Sequence, residues 1–136
     1  QVLMMRFASD IVPYLKACAD STLAELNAPE WTAQPACTVI LAAPGYPGDY
    51  VKGLPISGIE DIEQSDALQV FHAGTKIVDG QLVTSGGRVL AVTALGDDIS
   101  DARKKAYAAA DKIQFDGKQM RTDIGLASEL AGGVNY

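Results

Sequence analysis

Between Leu68 and Gly96 the chain reads LQVFHAGTKIVDGQLVTSGGRVLAVTALG. Two alternating runs, Gln69 to Lys76 and Gln81 to Ser85, flank a Val-Asp-Gly corner, and a third, Val89 to Leu95, follows the Gly86-Gly87 pair. Period-two alternation between glycine corners predicts an antiparallel meander. Asp79-Gly80 supplies the positive φ of a tight hairpin turn, and Gly86-Gly87 supplies the next reversal. Arg88 then stands at the exit of a glycine corner, where a strand begins. A cation beside open backbone is well placed to meet an anion, and an ordinary surface arginine has the same signature.

A sheet at the centre needs cover, and the 136 residues, 48% of them hydrophobic, suit one folded domain of ordinary size. A formal charge of −6 gives no broad basic surface, which argues against nucleic acid and anionic membrane as partners. Any anion site is therefore local. The apolar run near Thr38 to Ala43 is far too short for a bilayer, and the opening residues lack the order of a secretory leader, so a cytoplasmic location is expected. Cys18 and Cys37 read as buried reduced thiols rather than a disulfide or zinc framework.

The chain opens on Gln1, and QVLMMRF carries no capping signal, so a cut from a longer protein is expected. Ser9-Asp10 starts a helix with Pro13 inside its first turn, where the missing N–H costs little. Ile11, Val12, Leu15 and Cys18 or Ala19 fall on one face of it. A second short helix, Thr22 to Leu26, is expected under a cap from Asp20 or Ser21. The polar segment Asn27 to Pro35 then reads as a junction, dividing 1–35 from 36–136.

Cys37 to Ala43 is β-branched and apolar between Pro35 and Pro44, and reads as a buried strand. Pro44 to Gly53 follows as an ordered loop, stiffened by Pro44 and Pro47 and anchored by Tyr46 and Tyr50, with Lys52 its only cation. That loop is either a connector or part of a site. Ile56 to Gln64 reads as a strand edge and an acidic turn. After the meander, Asp97 or Asp98 caps a helix reaching Phe115, with Ile99, Ala102, Ala106, Ala109 and Ile113 on one stripe and residues 103–105 on the solvated side. Asp116-Gly117 stops it, and the tail Ala131 to Tyr136 reads as mobile. These elements make the fold class α+β.

None of these residues forms a catalytic constellation. His72, the single histidine, lies in a strand without a fixed Ser, Cys or carboxylate partner, and reads as a hydrogen-bonded core or rim histidine rather than a general base. The acids are too scattered for a metal site. Neither G-x-x-x-x-G-K-[ST] nor G-x-G-x-x-G occurs, so the usual phosphate loops are absent.

Taken in order, however, GYPGDYVKG, VFHAGTK, TSGGRVLAVTALG, AYAAADKIQFDG and MRTDIG resemble the C-terminal region of the phosphoribosylamine-glycine ligase family, over essentially the whole chain. Met120, where the family often has tyrosine, and Ala91, where glycine is usual, depart from the pattern and leave its polar residues untouched. The resemblance implies an ATP-grasp enzyme of de novo purine biosynthesis. It joins glycine to 5-phosphoribosylamine through a glycyl phosphate, with ATP converted to ADP and phosphate. Residues 1–35 become the end of the ATP-grasp lobe with a linker. Residues 36–136 become the substrate-side subdomain, a curved and mostly antiparallel sheet with one long packed helix.

The same resemblance assigns ATP and Mg2+ (or Mn2+) to the full-length enzyme and none of them to this piece, which is expected to be inactive alone. Implied partners are phosphoribosylamine, glycine and the N-terminal ATP-grasp part of the same protein. The alternative is a non-catalytic binding or structural module of the same ancestry. A phosphoribosyl substrate carries a dianionic phosphate, and Arg88 with the amides of Gly86 and Gly87 suits it, with Lys52 as a second cation. Arg6 either faces the nucleotide or glycine site or pairs with a core acid. His72, Thr75 and Arg121 belong either to the site or to the packing around it.

Overall fold

The structure is a computed structural model, and it describes residues 1–126. The elements run α1 (Val2–Arg6), α2 (Ile11–Asp20), a 3-10 turn (Leu23–Glu25), β1 (Ala36–Ala42), β2 (Leu68–His72), β3 (Thr75–Val78), β4 (Gln81–Thr84), β5 (Arg88–Leu95) and α3 (Ile99–Lys112). The expected mixture of helix and antiparallel strand is present, but the single meander is not. The strands form two sheets, one of order β1-β5-β2 and one a β3-β4 hairpin.

The run Gln69 to Lys76, expected as one strand, breaks at Ala73-Gly74. Both amides of that pair donate to the Val89 carbonyl, at 3.1 and 2.9 Å, instead of continuing along a ladder. The Gly74 carbonyl in turn accepts from Ser85 at 2.7 Å and Gly86 at 3.1 Å. Two amides converging on one carbonyl bend the chain, and β3 leaves the plane of the larger sheet. The hairpin closes as expected through Asp79 and Gly80, at φ 50° and 81°, the pair of positive values that a two-residue turn requires. The Gly86-Gly87 corner works differently, since neither residue lies in the left-handed region. Those glycines are needed for close approach.

Strand β5 is the centre of the larger sheet. Val92 faces Val39 on β1 and Val70 on β2, and Leu90 faces Leu41 and His72. Buried on both sides, Val89 to Leu95 reads as a nearly continuous apolar run rather than an alternating one. Its one hydroxyl, Thr93, is fully buried and shares a 2.8 Å hydrogen bond with Thr38.

Helix α3 covers one face of that sheet. Asp98 caps it by accepting from the Asp101 N–H at 2.7 Å. Ala102, Ala106, Ala109 and Ala110 are buried, and these small side chains let the helix lie close on β1 and β5. Two details correct the expected stripe. Ile99 is exposed, because the first turn lies just after β5 ends and has no sheet beneath it. The helix also stops at Lys112 rather than Phe115. Gln114 is drawn into extended pairing with Ser57, through bonds of 2.9 and 3.0 Å, and Lys118 closes the helix end by donating to the Ala110 and Ile113 carbonyls.

At the N-terminus Asp10 caps α2 by accepting from Val12 at 2.9 Å. The expected apolar face does not bury. Val12, Leu15 and Cys18 are exposed, and Ala17 is the buried residue of that helix. Cys37 is buried as expected, and burial raises its thiol pKa. The second short helix is only the 3-10 turn, because its expected caps serve elsewhere. Asp20 pairs with Lys16 at 2.8 Å, and Ser21 takes the left-handed position that ends α2. The junction segment is tied back by Trp31, whose ring meets Phe7 edge to face at 5.1 Å, and by the Thr32 N–H on the Arg6 carbonyl at 2.8 Å. The expected tail, Ala131 to Tyr136, lies outside the described residues.

Candidate functional site

Where β3-β4 leaves the larger sheet, a cleft of about 380 Å³ opens beside the start of β5. Its walls include Ile40, Tyr46, Gly74, Gly86, Gly87 and Arg88. The local sequence explains the opening. Gly74 and Gly86 cross so closely that no side chain fits between the two corners, and Ala42, opposite Arg88, sits at a register irregularity after Leu41. A glycine crossing beside a strand irregularity leaves backbone, rather than side chains, as the wall.

The structure thus brings three of the expected residues, Gly86, Gly87 and Arg88, to one cleft. Arg88 is exposed, and among the described residues its guanidinium pairs with no acid. The two glycine amides are not equivalent. Gly86 N–H is already used on the Gly74 carbonyl at 3.1 Å, whereas Gly87 N–H has no partner among the described residues. The Gly87 carbonyl accepts from Ala43 at 2.8 Å, which fixes the corner against the end of β1. A buried glycine with an unbonded amide, next to an unpaired guanidinium, is an arrangement that an anion satisfies.

The remaining candidates stand apart from this cleft. Lys52 is exposed, with Nζ 5.3 Å from the centre of the Tyr50 ring, and does not line the cleft. His72 Nδ1 and Thr75 Oγ1 lie 2.9 Å apart, so these two side chains bridge the bend at Ala73-Gly74. Arg121 is paired with Asp123 through two contacts, one of them 2.8 Å, and that hydrogen bonding holds the Asp123 carboxyl below its usual pKa. Arg6 donates to the Thr32 carbonyl at 3.2 Å rather than to an acid, and its Nε is buried without a partner among the described residues. Tyr46 was expected only as a loop anchor, and the structure puts it in the cleft wall. The sequence signal was its place in PGYPGDY, immediately after a buried strand.

Fold and cleft together define an antiparallel α/β domain that offers a glycine corner and one arginine at the edge of its sheet. A family model described as phosphoribosylglycinamide synthetase, C domain, matches residues 36–127, and the chain belongs to that family. Among its relatives, phosphoribosylamine-glycine ligase of Agrobacterium fabrum is 50% identical over 125 residues, which is 92% of this chain and 29% of that protein. The enzyme of the same name from Rhodopirellula baltica is 46% identical over 124 residues, or 91% and 28% of the two chains. The crystal structure of phosphoribosylamine-glycine ligase from Thermotoga maritima superposes with a TM-score of 0.64 at 34% identity, over 80% of this chain and 27% of that one. The chain therefore spans less than a third of the length of these relatives.

Proposed function

We propose that the chain is the C-terminal, substrate-side part of a ligase that joins glycine to 5-phosphoribosylamine with ATP, giving glycinamide ribonucleotide, ADP and phosphate. The observation that carries this reading is the cleft at Arg88, where an unpaired guanidinium and an unbonded Gly87 N–H share a wall of glycine backbone. A phosphate monoester needs both a cation and aligned N–H donors, and glycine lets its oxygens approach the main chain closely. Holding the phosphate there fixes where the ribosyl amine lies, so remote binding energy orients the reacting nitrogen.

Residues 1–35 are read as the end of an ATP-grasp lobe. That reading is supported by the apolar surface they leave open, with Leu3, Met4, Val12, Leu15 and Trp31 all exposed, and by an apolar groove of about 410 Å³ between α2 and the 3-10 turn. Isolated apolar side chains are ordinary on a surface, but a contiguous groove of them marks an interaction face. Its proposed occupant is the preceding part of the same polypeptide. ATP and Mg2+ belong to the full-length enzyme in this reading; among the described residues no group of three or more His, Cys, Asp or Glu side chains is placed to hold a metal ion. Among those residues no helix is long and apolar enough to cross a membrane.

The test is ADP release by the full-length polypeptide, expected to require glycine and phosphoribosylamine together. ADP release that ignores phosphoribosylamine would overturn the assignment, and so would turnover by residues 1–136 alone.

A further inference from the structure

The peptide that joins Gly86 to Gly87 is held at neither end by a hydrogen bond. The peptides on each side of it are fixed, through Gly86 N–H on Gly74 and through Ala43 N–H on the Gly87 carbonyl, at 3.1 and 2.8 Å. Between them, neither the Gly86 carbonyl nor the Gly87 N–H has a partner among the described residues. Two glycines in a row would let such a peptide turn over, exchanging the donor it presents for an acceptor.

What meets it is the ring of Tyr46. A Cβ on Gly87 would fall 2.3 Å from Tyr46 Cδ2 and 2.9 Å from Cε2, so the ring occupies the place of the missing side chain. Tyr50 stands beside it, with ring centroids 6.4 Å apart and Tyr50 Cε1 3.2 Å from the same Cβ position, and the Tyr46 backbone is held by its N–H on the Ala43 carbonyl at 3.2 Å. Ala43 thus ties both the tyrosine and the glycine corner to the end of β1.

We infer that Tyr46 is a positioning residue for the anion half of the cleft: its ring, wedged against Gly87, keeps the unbonded peptide in one orientation so that Gly87 N–H stays available to a phosphate monoester beside Arg88. The inference rests on the proposed phosphate-binding role of the cleft. The ring does this work, and the hydroxyl, which has no hydrogen-bond partner among the described residues, is not required.

The experiment is a titration of the 15N-labelled full-length polypeptide with ribose 5-phosphate, following the Gly87 amide resonance and the affinity together. In the unaltered polypeptide the resonance moves on binding, and Arg88→Ala abolishes binding. Tyr46→Phe keeps the affinity within about twofold and keeps the Gly87 response, whereas Tyr46→Ala weakens binding about tenfold and loses that response, the scale of one charge-assisted hydrogen bond. Tyr46→Ala with unaltered affinity and an unaltered Gly87 response overturns the inference. A loss in Tyr46→Phe as large as in Tyr46→Ala overturns it too, since the hydroxyl would then be the contact. If Tyr46→Ala does not fold, Gly87→Ala makes the test from the other side. Its Cβ displaces the ring, so about a tenfold loss is expected and unchanged affinity overturns the inference. If Arg88→Ala binds normally, or the unaltered polypeptide does not bind at all, the phosphate reading of the cleft falls and the inference with it. Loss in Arg88→Ala without loss in the Tyr46 and Gly87 variants removes the inference alone.

Discussion

Gly74 and Gly86 meet backbone to backbone: a Cβ on Gly74 would stand 2.7 Å from the Gly86 Cα and 2.5 Å from the Arg88 carbonyl oxygen. The corner leaving β2 and the corner entering β5 cross at that contact, which therefore holds the two sheets at their angle and forms one wall of the cleft. Main chain on both sides cannot step aside as a flexible side chain would.

Gly74→Ala is accordingly expected to cost about 3 kcal/mol, in the range of overpacked core positions. Gly80→Ala is the contrast. Gly80 has φ 81° but open space around its Cβ position, so only backbone strain of about 1 kcal/mol applies. Urea midpoints of the two variants check this. Equal midpoints would mean that the crossing yields and that Gly74 is not what sets the angle between the sheets.

Ala106 tests the helix-to-sheet contact in the same way. It is fully buried in α3 against the sheet, so Ala106→Asp leaves a carboxylate without water or partner, at a cost on the order of 4 kcal/mol. Ile99, on the same helix and 45% exposed, should tolerate Ile99→Asp within about 0.5 kcal/mol. Thermal unfolding of both variants gives the comparison. An Ala106→Asp chain melting with the wild type would place that stripe in solvent.

The pattern along the sequence was sufficient for β1, β5 and α3, because each has a local cause: a bounded β-branched run, a continuous apolar run, an Asp98 cap with alanines at helical spacing. The break at Ala73-Gly74 was not legible, since alternation continues straight through it and only the distant Val89 and Gly86 bend the chain. The early end of α3 had the same kind of origin in Ser57. Arg103, read as solvated, instead holds the Thr122 and Ile124 carbonyls at 2.7 and 3.0 Å and lies 4.7 Å from the centre of the Tyr107 ring, contacts that no periodicity encodes. Within the candidate site, a glycine pair followed by arginine was readable as a motif. That Gly74 takes the Gly86 amide, and that Tyr46 rather than Lys52 reaches the cleft, depended on how the loops fold over one another.

Acid should weaken the start of α3 through Asp101. Its carboxyl is held below the ordinary value of 3.8, first by the hydrogen bond from Lys105 and then by the Asp97 N–H, with the Lys105 contact at 2.6 Å. The folded chain therefore binds that proton less readily than the unfolded one. Its stabilising contribution is complete above pH 3.8 and is lost as the pH falls through the lower folded value. Asp101→Asn should be less stable than the wild type at neutral pH, and the gap should close below pH 3.8. Urea midpoints across that range decide it, and a gap independent of pH would mean that packing, not charge, is what the substitution disturbs.

Arg88 in the full-length polypeptide gives the sharpest test of the proposed function. If it binds the ribosyl phosphate, Arg88→Lys keeps the charge and loses the two-pronged geometry, and Arg88→Ala loses both. A charge-assisted contact contributes roughly 1.5 to 3 kcal/mol, so the alanine variant should bind phosphoribosylamine on the order of ten to a hundred times more weakly, with lysine between. The constants for ATP and glycine should hardly move, because the proposed function gives Arg88 a contact to the ribosyl phosphate alone. Stability should change little as well, since Arg88 is exposed and pairs with no acid among the described residues. Michaelis constants for the three substrates, measured beside the melting temperature, separate the readings. A rise confined to phosphoribosylamine supports the phosphate role, whereas a normal constant in a less stable protein would show that Arg88 only pins the glycine corner.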